Sequence, residues 1–169
     1  MKLIALMLTT ALSFAGFAFA ADAPKLDRDT EKFFKEAAIG GIAEVEAGKL
    51  AAQKGSSADV KQFGEMMVKD HSGANAKLKD LAAKKNVTLP AELDDKHKRE
   101  AENLAKKQGA DFDKAYADQM VKDHKKTIDL FEGEAKRGKD ADVKAFAEAT
   151  LPTLREHLKA AQQLEEKTK

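Results

Sequence analysis

The stretch MVKDHSGANAKL, Met67–Leu78, places Met67, His71, Ala74 and Leu78 at successive four-, three- and four-residue steps. That spacing marks one face of an α-helix and does not fit the two-residue alternation of a strand. Its first five letters return at Met120–His124, in MVKDHKKTIDLF (Met120–Phe131), where Met120, His124, Ile128 and Phe131 make four-, four- and three-residue steps. A third acid-histidine pair stands in LREHL, Leu154–Leu158. Three segments therefore carry a histidine in the middle of an otherwise apolar helical stripe.

Working outward, Asp27 or Asp29 caps a first helix expected over about Arg28 to Lys54, with Phe34, Ala38, Gly41, Val45, Gly48 and Ala52 on its stripe. Gly55-Ser56-Ser57 ends it, and either serine caps a second helix that runs to about Lys85. Asn86–Pro90 reads as a turn, and a short polar helix follows over about Ala91 to Lys107 before Gly109 breaks it. The fourth helix is expected from about Asp111 to Arg137, closed by Gly138, and the fifth from about Asp140 to Glu166. Pro152 falls inside the last and should kink it, because it cannot donate to the Glu148 carbonyl. Gly41, Gly48 and Gly64 cost helix stability, so close backbone approach is their expected reason. The predicted fold class is all-α: an up-and-down four-helix bundle over residues 28–167, with the short helix inside the longer connection.

Composition agrees. The 169 residues hold no tryptophan, one tyrosine and three prolines, and 35% of them are charged. There is no cysteine, which removes disulfides, thiolate metal sites and a lipid-modified cysteine. Residues 1–20, MKLIALMLTTALSFAGFAFA, have the build of a secretory signal peptide: Lys2, an apolar run, and a small-x-small site at Ala18-Phe19-Ala20. Cleavage is expected after Ala20, followed by a disordered segment over 21–27 and a periplasmic or secreted domain. Loss of Lys2 leaves equal numbers of basic and acidic residues, 29 each. That balance argues against nucleic acid and anionic lipid as partners, and no stable membrane span is expected after cleavage. A protein partner in the cell envelope fits such a domain; the sequence sets no oligomeric state.

His71, His124 and His157 are the candidate metal ligands, since in a bundle all three point inward. Imidazoles suit zinc, copper or iron, and must be neutral to bind, so retention is expected to fall as pH drops through about 6. The competing reading makes them core polar residues bonded to carboxylates or backbone, fixing helix register only. Asp70, Asp123 and Glu156 each lie about 100° around the helix from the histidine they precede. They are expected to orient a histidine on a neighbouring helix instead. Glu44, at the edge of the first stripe, is a fourth candidate ligand, against the reading of a solvated flank residue. His97, in DDKHKRE, reads as a solvated surface residue, and Met66, Met67 and Met120 as core packing.

FFKEAAIGGIAEVEAGKLAAQKGSSADVKQFGEMMVKDH (Phe33–His71), DFDKAYADQMVKDH (Asp111–His124) and FAEATLPTLREHL (Phe146–Leu158) together resemble the bacterial domain-of-unknown-function family 4142. The likeness runs from about Asp29 to Leu164. It implies an exported protein of the ferritin-like superfamily, whose members often hold two irons through glutamates and Glu-Xaa-Xaa-His pairs. Here the residues three before the histidines are Val68, Val121 and Leu154, so that carboxylate-rich centre does not carry over. No phosphate loop, cysteine nucleophile or serine motif is present, and no catalytic residue is nominated.

Overall fold

The structure is a computed structural model that describes residues 26–169. The expected signal peptide, its expected cleavage site and most of the expected disordered segment lie outside the described residues. Five helices form, with no strand among the described residues: α1 (Arg28–Lys54), α2 (Ala58–Lys84), α3 (Asp95–Ala105), α4 (Gly109–Arg137) and α5 (Ala141–Lys167). α1 packs on α2 and α4 on α5 as two hairpins, and the hairpins meet through α1 on α4 and α2 on α5. α3 lies against α1 and α4.

Four of the five helices start at a side-chain cap. The Asp27 side chain accepts from the backbone N–H of Asp29 and Thr30, at 3.0 and 3.1 Å, and so starts α1. Ser57 accepts from Val60 N–H, and Asp140 from Asp142 and Val143 N–H, in the same way. α3 begins later than its composition suggests, because Asp94 accepts from His97 N–H at 2.9 Å and fixes the start there. Gly109 opens α4 rather than ending the connection, with φ +54. α5 continues through Pro152; Glu148 and Pro152 are both exposed, where water can serve the Glu148 carbonyl.

Polar clamps tie the hairpins together. Asp113 of α4 accepts from Ser56 N–H (2.8 Å), Ser57 N–H (2.9 Å) and the Ser56 hydroxyl (2.6 Å) at the α1–α2 turn. Those hydrogen bonds hold its carboxyl below the usual range against the opposing effect of burial. Lys85, at the end of α2, donates to Asp140 (2.8 Å) and Asp142 (2.6 Å) at the start of α5. Within the first hairpin the backbones nearly touch: a Cβ on Gly48 would sit 2.8 Å from the Gly64 carbonyl oxygen, and one on Gly64 2.6 Å from that of Gly48.

The core falls into two apolar clusters. One holds Ala47, Ala51, Phe63, Met67, Phe112, Tyr116, Met120 and Leu164; the other holds Phe33, Phe34, Ala37, Leu78, Ile128, Phe131, Val143 and Leu154. Along every long helix the changeover between clusters is marked by one buried polar side chain: Glu44 on α1, His71 on α2, His124 on α4 and His157 on α5. A polar layer thus crosses the middle of an oily interior. Val45 and Ala52, expected on the α1 stripe, are only half-buried. The buried face instead runs through Ala37, Gly41, Glu44, Gly48 and Ala51. That shift of phase carries Glu44 from the expected flank into the core, at 5% exposure.

Candidate metal centre

His71, His124 and His157 stand with ring centroids 5.3, 5.5 and 5.6 Å apart. Each brings a ring nitrogen to a place where the three ligand atoms lie within 4.8 Å of one another. Some point is then no further than about 2.8 Å from all three, against roughly 2.0–2.1 Å for a zinc–imidazole bond. An inward shift of under about 1 Å per ring closes the difference, which rotation about the side-chain torsions supplies.

The hydrogen bonds decide which nitrogen of two rings is free. His124 Nδ1 lies 2.9 Å from the Met120 carbonyl oxygen, an acceptor, so Nδ1 carries the hydrogen and Nε2 the lone pair. His157 Nε2 lies 3.0 Å from Asp70 Oδ2, so Nε2 donates and Nδ1 is bare. The buried ring nitrogens without a hydrogen-bond partner are His71 Nε2, His124 Nε2 and His157 Nδ1. Burial, with the neighbouring imidazoles His124 and His157, lowers His71 to about 3. Burial lowers His124 to about 4, with the Met120 carbonyl working against it and His157 adding to it. At neutral pH these two rings are uncharged, the form that ligates.

The acids divide. Asp70 serves a neighbouring helix, bridging from α2 to α5. Asp123 does not reach a histidine of the trio: it lines a cavity of about 130 Å³ beneath α3 with Glu44, Asp94, Lys96 and His97. Its carboxyl is raised by burial. Glu156 is exposed on α5, away from the layer, as a residue one step from an inward histidine must often be. Glu44 Oε1 lies 3.6 Å from His124 Nδ1, the edge turned away from the free Nε2, and Glu44 is not among the three converging ligands. Its Oε2 has no hydrogen-bond partner, and burial, then the nearby Asp123, pushes its carboxyl well above the usual range. His97 is not solvated as its sequence surroundings suggest. Its ring is 15% exposed and sits 2.6 Å from Asp94 Oδ1.

One buried polar group carried no chemical expectation. Tyr116 is fully buried, its hydroxyl lacks a partner, and burial followed by the Glu44 charge raises its ionisation well above normal. Its helical spacing from Met120 and His124 resembles packing, so the sequence gives no sign that the hydroxyl is left alone.

No curated protein matches the chain in sequence. The structure is similar to the crystal structure of a DUF305 fragment from Deinococcus radiodurans, with a TM-score of 0.74 at 8% identity. That match covers 85% of this chain and 99% of the other, and at such low identity it speaks for the helical fold alone. A family model described as "Domain of unknown function (DUF4142)" matches residues 16–164. With nearly the whole chain matched, this protein belongs to the DUF4142 family.

Proposed function

We propose that this protein is an exported, ferritin-like up-and-down bundle that holds a single transition-metal ion at the polar layer. The ligands are His71 Nε2, His124 Nε2 and His157 Nδ1, and the role is metal handling in the cell envelope. The reading is carried by three buried histidines from three helices that bring ring nitrogens within 4.8 Å of one another, each ring also holding a buried nitrogen with no hydrogen-bond partner. Each such group costs on the order of 1–3 kcal/mol if nothing answers it. A borderline cation such as zinc, copper(II) or iron(II) answers all three at once. Glu44 stays outside the ligand set as a neutral carboxyl beside His124, and Asp70 fixes the His157 ring.

Isothermal titration of metal-stripped protein with zinc tests this. One ion per chain is expected to bind, and replacing all three histidines by glutamine is expected to weaken binding at least 100-fold. Unchanged affinity in the triple variant would leave the histidines as a register-fixing polar layer. In that case their replacement would alter stability alone.

A further inference from the structure

A cavity of about 50 Å³ adjoins the histidine layer on the side of the cluster containing Phe131 and Leu154. His71 and His157 form part of its wall, together with Glu44 and the small residues Gly40, Gly41 and Ala74. One water needs roughly 10–15 Å³ by such a measure, so the space takes about three to five water-sized bodies. It is too large to be a packing gap and too small for a sugar, nucleotide or amino acid.

We propose that this cavity is a binding subsite for a small uncharged molecule of two or three heavy atoms. Such a ligand would take the position on the metal that the three imidazoles leave open. The inference rests on the metal-binding reading above. Three protein ligands leave a fourth position on a tetrahedral ion, and two of the three, His71 and His157, face the cavity that would receive it. The walls choose the class of ligand. Leu78, Leu130, Phe131, Phe146 and Leu154 are apolar, and no lysine or arginine lines the space. The charged or ionisable acids there are Glu36, Glu44 and Asp70, which disfavour an anion such as phosphate or a carboxylate. Thr127 and Thr153 offer hydroxyls to a weakly polar guest, whereas the Thr150 hydroxyl donates to the Phe146 carbonyl oxygen at 2.7 Å. Thr153 is exposed, and Glu36, Gly40, Thr127 and Thr150 are partly so, which gives a molecule of this size a way in.

Nitric oxide is a suitable probe. The protein is loaded anaerobically with iron(II), its iron affinity measured, and nitric oxide titrated while the S = 3/2 electron paramagnetic resonance signal is recorded. Saturable formation of that signal, with azide at equal concentration binding at least tenfold more weakly, is the expected result. Gly40 is a wall position that can take a larger side chain, because a Cβ there meets nothing within 4 Å. Gly40→Leu, and separately Ala74→Met, are expected to reduce nitric oxide affinity tenfold or more while iron affinity changes less than threefold. Iron bound with no nitrosyl signal, or a signal equally strong in both variants, would overturn the subsite and leave the metal centre standing. Failure to bind iron, zinc or copper would overturn both.

Discussion

A neutral imidazole has one N–H and one lone pair, so whatever receives the N–H decides where the lone pair points. The Met120 carbonyl does this for His124 within one helix turn, and Asp70 does it for His157 across two helices. Removing Asp70 should therefore act on the metal without touching it. Asp70→Ala is expected to weaken zinc binding about 10–100-fold by calorimetry, whereas Asp70→Asn, whose amide oxygen still accepts the N–H, should lose much less. Equal affinity in both variants would mean that the His157 ring is set by packing. The histidines themselves were legible in the sequence because a titratable ring on an apolar stripe conflicts with its surroundings. Asp70 was legible only as one of three acids beside a histidine, since its usefulness depends on which helix its face meets. The faces of Asp123 and Glu156 meet α3 and solvent.

At the scale of the element, caps and glycines gave the helix ends to within a few residues, while the phase of α1 was less readable. Its stripe is built from alanine and glycine, and three- and four-residue steps through such a sequence can be drawn along more than one face. Partner surfaces choose among them, and that choice buries Glu44. The Gly48–Gly64 crossing is one of those surfaces. Gly64→Ala gains helix propensity but puts a methyl 2.6 Å from a backbone oxygen, so the hairpin must open. A loss of about 1–3 kcal/mol in urea unfolding is expected. Gly73, with nothing within 4 Å of its Cβ, separates the two effects: Gly73→Ala should stabilise α2 by about 0.5–1 kcal/mol. Similar behaviour at the two positions would show that propensity, not contact, governs the hairpin.

For the molecule as a whole, the polar layer ties stability to pH in two opposing directions. His71 and His124 have folded values of about 3 and 4 against 6.5 when unfolded. As pH falls below 6.5 the unfolded chain takes up protons that the folded chain refuses, so metal-free stability is lost toward acid. The same lowering means that protons compete with a metal for these two rings near pH 3–4, well below the pH of about 6 expected from ordinary histidines. Glu44 works the other way. Its folded value is raised, so above 4.5 the unfolded chain releases a proton that the folded chain keeps, and stability falls as pH rises. Asp123 and Glu134, also raised, add to that fall. Comparing Glu44→Gln with the wild type removes the one carboxyl while keeping every other titrating group, and as long as Glu44 stays neutral in the folded protein its neighbours Asp123 and Tyr116 feel no change of charge. Thermal melts of the two metal-free proteins should show the variant gaining on the wild type by up to about 1.4 kcal/mol per pH unit above 4.5, until Glu44 ionises in the folded protein. A difference independent of pH between 5 and 8 would mean that Glu44 is already ionised in the folded bundle.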